Sequence, residues 1–501
     1  MCRTQQGWNS ERTRARAHCA RAWVYPGQEE LEGGESLGAR AQNSGGLAVR
    51  PPFRSSVAAH DGPVDARWVA ELGRAVTIWV PVFVVTAGRI DSPAAALLFA
   101  SLLATVWLFT LRSAFRAVPF TLGPAVPASV GTLTGLVVVS ALTLWVPLSR
   151  SSLPVSALLV MAMSVFCLTT VWEVVCRHGF AAKRRVLVVG TSTWAADVAQ
   201  TAREAPNAPF TVVGIVDDEP WTEGDRGAPV LGEVADLSSI VEAQRPDLIV
   251  LAEGDGSGRA LESLLDVASS GFKVVGVTHF FEHMFGWVPL RHLTSGWFMS
   301  ILHLHQRTYS CCAKRVLDLV GASLGMLLAA PLVPFIVLLV RRTPGSVIYR
   351  QTRVGEGGAL FSMYKFRTME ENAEAPGRPV YAEENDPRVT HVGRFLRRTH
   401  LDELPQLWNV LRGEMSLVGP RPERPEFVRM LERAVPFQAR RLLVKPGITG
   451  WAQLRCDYAS DSESAANRLS YDLWYLRHRN LTVDLAICFK TFSALVFRTG
   501  R

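Results

Sequence analysis

The sequence predicts a membrane protein of several domains: a four-helix transmembrane bundle, an α/β Rossmann-like middle domain, and an α-rich C-terminal domain entered through a re-entrant membrane helix. Three observations carry that prediction. A run of uncharged apolar segments fills residues 66–178, strand-like and helix-like stretches alternate over 183–295, and one isolated apolar stretch, Val316–Val340, opens the region from 310 to 501. The overall composition agrees. Mean hydropathy is positive at +0.15 although 20% of the residues are charged, so lipid-facing and water-facing parts share one chain. With 48% apolar residues the chain has ample core material, which excludes disorder as its dominant state.

The stretch 1–65 carries scattered Arg, Gly, Ser and Gln without apolar periodicity or a signal-peptide core, and is expected to be a disordered tail. Its basic residues lack aromatic partners, which argues against a nucleic-acid-binding arm. Four spans follow. Pro93–Leu111, Pro127–Leu148 and Ser151–Trp172 each meet the roughly 20-residue length needed to cross hydrocarbon. Ala75–Gly88 meets it only when Trp68–Leu72 is added and Arg74 snorkels to the interface. Arg112, Arg116, Arg177, Lys183, Arg184 and Arg185 then fall on the same side as the tail, against Arg89 and Arg150 opposite, so both ends of the block are expected in the cytoplasm. The eight cysteines show no Cys-x-x-Cys pair or zinc spacing, and are expected to be reduced.

In the middle domain Val186–Val189, Thr211–Val216, Asp247–Leu251 and Lys273–Val277 read as buried parallel strands, with helices near Trp194–Ala205 and Leu261–Ala268. Gly190 and Asp217 are spaced as in a dinucleotide site. The turn nevertheless lacks the further glycines of that fingerprint, and Trp194 would crowd a pyrophosphate. A regulatory or oligomerisation role is preferred to NAD binding.

Val316–Val340 is flanked by Lys314 and Arg315 before it and Arg341 and Arg342 after it, with Pro331 and Pro334 at its centre. Equal basic flanks argue that the segment enters and returns, the prolines supplying the break, rather than crossing as a fifth span. Beyond it, strand period places Lys365 and Arg367 on one face, two cations suited to a diphosphate or to a solvated edge. Leu404, Leu407, Val410 and Leu411 recur at helical spacing, so a helix is expected from Asp402 as N-cap. Asp402 and Glu403 would then either cap that helix or, beside Arg394, Arg397 and Arg398, sit where a phosphoryl group is drawn. Gly419-Pro420-Arg421-Pro422 and Lys445-Pro446-Gly447 are rigid turns bearing cations. Tyr471–Arg479 and the stretch to Phe497, which holds Asp484, suit a membrane interface or a packed terminal helix.

These motifs, taken in order as Tyr349-Arg350-Gln351-x-Arg353-x-Gly355, Lys365-Phe366-Arg367-Thr368-Met369, Leu401-Asp402-Glu403-Leu404-Pro405-Gln406-Leu407, Gly419-Pro420-Arg421-Pro422 and Lys445-Pro446-Gly447-Ile448-Thr449-Gly450, resemble those of the bacterial sugar transferases of the monotopic phosphoglycosyl transferase superfamily. The four spans and degenerate nucleotide-type domain look like the long form, which includes undecaprenyl-phosphate glucose and galactose phosphotransferases. The resemblance implies transfer of hexose 1-phosphate from a UDP-hexose to polyprenyl phosphate through an aspartyl intermediate, with UMP released, to start exopolysaccharide or O-antigen units. It implies Asp402 as nucleophile and Mg²⁺ ligand, Glu403 as its assistant, and Lys365, Arg367, Arg394 and Arg421 as phosphate-binding residues, with Asp484 at a further acidic position. It also implies a homodimer in the bacterial inner (cytoplasmic) membrane, in contact with membrane lipid, with its catalytic domain facing the cytoplasm. The sequence departs from the family at Ala330-Pro331, where relatives often have Ser-Pro, and at His400 before the dyad. Two other readings stand beside this one: a transferase making a polyprenyl monophosphate sugar, which releases UDP, and a non-catalytic assembly scaffold.

Overall fold

The computed structural model describes residues 64–90, 92–118, 123–145, 153–179, 183–190, 193–204, 210–218, 228–252, 272–293, 295–302, 308–371, 373, 386–456 and 462–497. The expected tail, up to residue 63, and the expected helix Leu261–Ala268 lie outside them.

Helices α1 (Val64–Ala87), α2 (Pro93–Ala117), α3 (Ala125–Trp145) and α4 (Val155–Gly179) are long and apolar enough to cross a membrane. Each buries one stripe, such as Ile78, Leu103, Trp107, Met161 and Val165, and leaves large apolar side chains outside, including Leu98, Phe109, Val137 and Met163. Such outward apolar faces are what lipid requires and water penalises. Arg74 does not snorkel. Its side chain turns inward to an ion pair with the fully buried Glu173 of α4 and to Glu71 at 2.5 Å, and Glu71 also takes Arg112 of α2. A carboxylate within reach on a neighbouring helix offers the arginine more than the interface does, because charges inside a bundle pair with one another.

The middle domain is a five-stranded parallel sheet in the order β3-β2-β1-β4-β5, built from β1 (Arg184–Val189), β2 (Phe210–Val216), β3 (Val230–Gly232), β4 (Leu248–Leu251) and β5 (Lys273–Gly276). The described helices α5 (Thr193–Glu204), α6 (Leu237–Gln244) and α7 (Val277–Phe285) cover it. Alternate residues of β1 feed separate cores, Val186 and Val188 on one face and Leu187 and Val189 on the other, as a sheet covered on both sides demands. Trp194 packs inward, its ring 4.5 Å from that of His292, instead of standing in the turn after Gly190. After α7 comes α8 (Ser295–Leu302).

Helices α9 (Thr308–Ala329) and α10 (Val333–Val340) meet at a 65° bend at Ala330–Leu332. Val316, Val320, Leu324, Leu327, Phe335 and Leu338 lie exposed along the pair. The C-terminal region continues with the antiparallel hairpin β6 (Ile348–Val354) and β7 (Leu360–Phe366), α11 (His391–Thr399), α12 (Gln406–Arg412), β8 (Ser416–Val418), α13 (Pro425–Ala434), β9 (Gly447–Thr449), α14 (Ser462–His478) and α15 (Leu481–Phe497). The aromatic residues of α14 are core residues: Tyr471, Trp474 and Tyr475 are buried, as a packed helix requires, whereas α15 leaves Phe489, Phe492 and Leu495 exposed.

Candidate active site

Helix α11 opens with Thr390 as N-cap, its hydroxyl accepting from Gly393 N at 2.9 Å. Gly393 lies so close to the chain after β7 that a Cβ there would stand 1.9 Å from Thr368 O, which excludes any other residue. This contact brings Arg397, one turn on, to Thr368, with Nε donating to Oγ1 at 2.9 Å. His400 then takes the left-handed conformation (φ 54°) and closes the helix, and Leu401–Glu403 form a single 3₁₀ turn before α12 begins at Gln406. Asp402 is therefore not the N-cap of α12. The cap position belongs to Pro405, and the dyad sits in a tight turn between two helices.

In that turn the two carboxylates meet opposite environments. Glu403 Oε1 accepts from Lys365 Nζ of β7 and from Arg421 NH2, each at 2.9 Å. Burial opposes its charge, but Arg421, Lys365 and their hydrogen bonds outweigh it and hold the carboxyl well below the usual range. Asp402 is 7% exposed, and among the described residues no side chain hydrogen-bonds its carboxylate. Burial pushes its pKa up and Glu403 adds to that, while Lys365, Arg397 and His400 oppose it. Burial likewise pushes the Lys365 ammonium down, against the pull of Glu403.

The structure thus brings Asp402, Glu403, Lys365 and Arg421 together, and separates the other expected site residues from them. Arg367 is buried at the far end of the bent pair. Its NH2 donates to Thr343 O at 2.8 Å, Thr343 Oγ1 at 2.9 Å and Val340 O at 3.3 Å, and its NH1 bonds Pro344 O. β7 ends at Phe366, so strand parity no longer governs the residue after it. Arg394 is exposed on α11, and the arginine of that helix facing the dyad is Arg397. Asp484 belongs to another cluster: Oδ2 meets Lys314 Nζ at 2.7 Å and Oδ1 accepts from Tyr475 at 2.8 Å. Burial raises its pKa and Lys314 lowers it.

Arg421 is aimed by paired turns. Gly419 and Gly447 approach so closely that a Cβ on Gly447 would lie 2.1 Å from Gly419 N, and Gly447 N donates to Pro420 O at 2.9 Å. Sequence reading sets Arg397 beside the dyad without preferring it to Arg394 or Arg398, quotes Arg353 only as part of a motif, and misses Arg441. For Arg397 a signal existed, since it stands four residues after Gly393 on the same helix face.

As a metal site the residues offer little on their own. Among the described residues no group of three or more His, Cys, Asp or Glu could hold an ion, and Glu403 is engaged by two cations. Asp402 is the carboxylate left available, a donor set that fits Mg²⁺ when substrate phosphate oxygens complete it.

Residues 309–498 match the family model described as bacterial sugar transferase, and residues 128–253 match one described as CoA-binding domain. The chain is 36% identical over 261 residues to the UDP-N-acetylgalactosamine-undecaprenyl-phosphate N-acetylgalactosaminephosphotransferase of Aeromonas hydrophila, covering 52% of this chain and 61% of that protein. It is 33% identical to the UDP-galactose-lipid carrier transferase of Erwinia amylovora, covering 72% and 78% respectively. It is also 33% identical to the UDP-glucose:undecaprenyl-phosphate glucose-1-phosphate transferase of Escherichia coli K12, covering 65% and 73%.

Proposed function

Since this chain belongs to the bacterial sugar transferases and is a phosphoglycosyl transferase, we propose that it transfers hexose 1-phosphate from a UDP-hexose to undecaprenyl phosphate in two displacements. An oxygen of Asp402 attacks the β-phosphorus, the bond from that phosphorus to the bridging oxygen breaks, and UMP leaves with the oxygen. An oxygen of the polyprenyl phosphate then attacks the same phosphorus, the bond to Asp402 breaks, and a polyprenyl diphosphate sugar forms. Splitting one displacement into two is the general gain of a covalent nucleophile.

The observation that supports this most is the contrast within the dyad. Glu403 is held anionic by two cations and is committed to placing them, whereas Asp402 is buried, adjacent, and free of hydrogen-bonding side chains among the described residues. Desolvation of Asp402 favours attack, because an unsolvated carboxylate need not shed water first. Lys365, Arg397 and Arg421 supply the positive charge that an anion attacking an anion needs, about 4 kcal/mol of repulsion at 4 Å with an effective dielectric near 20. Mg²⁺ held by Asp402 and the diphosphate would add to that screening.

Re-entry of α9 and α10 belongs to the same reading. At one end Lys314, Arg315 and Asp318 bond Asp484, the Val410 and Leu411 carbonyls, and Ser416 with Leu417 N; at the other, Arg367 holds the carbonyls after α10. Two ends tied to one folded body support a segment that returns to the side from which it entered. With UDP-sugars made in the cytoplasm, this body faces that side of the inner membrane, and the product would start an exopolysaccharide or O-antigen unit. The decisive experiment incubates purified protein with a panel of UDP-hexoses and undecaprenyl phosphate and scores the released nucleotide. UMP is expected, and Asp402→Asn should abolish its release. Release of UDP instead, or near wild-type UMP release by Asp402→Asn, would overturn the reading.

A further inference from the structure

Behind Arg421 lies a cluster of buried charges that the proposed reaction does not itself require. Glu423 is 4% exposed, Asp472 2% and Arg441 8%. Arg441 NH2 donates to Arg421 O at 3.0 Å and pairs with Asp472 Oδ2 at 2.9 Å. Arg353 NH1 donates to Pro422 O at 3.0 Å, while Gln351 Oε1 accepts from Arg353 Nε at 3.0 Å and NH2 at 2.5 Å. Glu423 sits among the guanidinium groups of Arg468, Arg441 and Arg353 at 3.6, 3.8 and 3.9 Å.

Two successive carbonyls, those of Arg421 and Pro422, are therefore each gripped by a guanidinium from a different element. These carbonyls belong to the residue that holds Glu403 and to the proline after it. Burying so many ions is costly, and well-packed apolar side chains often stabilise a fold as much or more. What apolar side chains cannot supply is a directional grip on a carbonyl. Prolines 420 and 422 restrict the backbone of this turn but leave its peptide planes free to tilt, and two anchored carbonyls remove that freedom.

We propose that Arg441, aligned by Asp472 and assisted by Arg353, is a positioning residue: it fixes the Arg421 peptide so that the guanidinium reaches Glu403 and the diphosphate. The proposal rests on the transferase reading for its catalytic consequence and on geometry alone for the clamp. Because α14 carries Asp472, Arg468 and also Arg477, which pairs with Glu282 of the middle domain at 2.9 Å, the clamp is built on a helix that both domains hold.

The test uses the full chain in detergent with Arg441→Met, Arg441→Lys, Arg421→Ala and the Arg441→Met/Arg421→Ala double variant. Misplacement of a group by about 1 Å can cost on the order of 10²-fold, so Arg441→Met is expected to lower kcat by roughly that factor. Arg441→Lys should retain an intermediate rate. In the Arg421→Ala background Arg441→Met should cost less than about threefold more, because the group it positions is gone. Independent multiplicative losses would overturn the proposal. Hydrogen exchange of the segment 416–424 reads the clamp without any substrate: faster exchange in Arg441→Met is expected, and unchanged exchange refutes the clamp. A wild type without turnover would instead refute the transferase reading, with the exchange result still standing.

Discussion

Arg367 separates two accounts of the same residue. If it held a diphosphate, Arg367→Met would raise KM for the UDP-sugar and leave the fold intact. Its actual partners are the carbonyls of Val340, Thr343 and Pro344 and the Thr343 hydroxyl, which are the last acceptors of α10 and the turn beyond. A cation at a helix C-terminus is favourable through both hydrogen bonding and the helix dipole. Hydrogen bonds to a charged group contribute about 1.5–3 kcal/mol each. These share one guanidinium and are not additive, so the loss on truncation is set at about 3–5 kcal/mol, the range for orphaning buried partners. For a folding unit of this size, about 2–4 °C per kcal/mol converts that into a fall in Tm of at least about 6 °C. Arg367→Lys keeps the charge and reaches part of the carbonyl set, and should recover about half. Thermal unfolding in detergent reads the stability, and UMP release at saturating and limiting UDP-sugar reads KM. Arg367→Met is expected to unfold early and, while folded, to keep KM within about threefold. An unchanged Tm with KM raised about tenfold or more would refute the structural role and return Arg367 to the phosphates.

The acid limb of the rate profile is expected to lie above the ordinary carboxylate range, because burial raises the pKa of Asp402, the proposed nucleophile; Lys365→Met removes a cation that lowers it and should move the limb further up, as initial rates across a pH series would record. The same shift makes the native state favour protonated Asp402, a stabilisation present at low pH and lost as pH rises through the folded pKa. Asp402→Asn should therefore raise Tm at pH 7, and the gain should shrink as the pH falls. On α11, Arg397→Met should cut turnover by about tenfold or more and Arg394→Met by less than about twofold, since one faces Asp402 and the other solvent; kcat for the pair checks this. In the bundle, Glu173→Leu leaves Arg74 without its buried partner and should cost about 3–5 kcal/mol, whereas Arg74→Leu/Glu173→Leu should recover most of it, measured as resistance to denaturing detergent.

What the sequence makes legible follows from where each determinant lies along the chain. Spans and parallel strands are local: composition and period over about 20 or 6 residues suffice, and all four strands read from the sequence of the middle domain are present. The three-residue β3 is too short to leave a period, and it was not foreseen. Asp402, Glu403, Lys365 and Arg421 were legible because each sits in a rigid or periodic motif. Asp402 as N-cap is a local error: the periodicity of Leu404, Leu407, Val410 and Leu411 runs across Pro405 and hides the break between the 3₁₀ turn and α12.

Asp484, Arg74 and Arg367 are misplaced by sequence reasoning for one cause, which is that their partners are remote. Lys314 and Asp484 stand 170 positions apart, Arg74 and Glu173 99, and Arg367 and Val340 27. A lone cation near an apolar segment looks like a topology signal or a phosphate ligand until a distant carboxylate or a set of carbonyls is brought to it. The net charge of +8 therefore divides differently from what composition suggests. Part of it is structural, spent on fastening α9 and α10 to the catalytic body at Lys314, Arg315 and Arg367 and on clamping the Arg421 turn at Arg353 and Arg441. The positive charge left facing Asp402 comes from Lys365 and Arg397, with Arg421 bound to the neighbouring Glu403. Basic residues in this region are thus better sorted by how many carbonyl oxygens each engages than by their proximity to the dyad in sequence. An arginine bonded to several main-chain oxygens has its donors occupied, and a phosphate could recruit it only by dismantling the turn it holds.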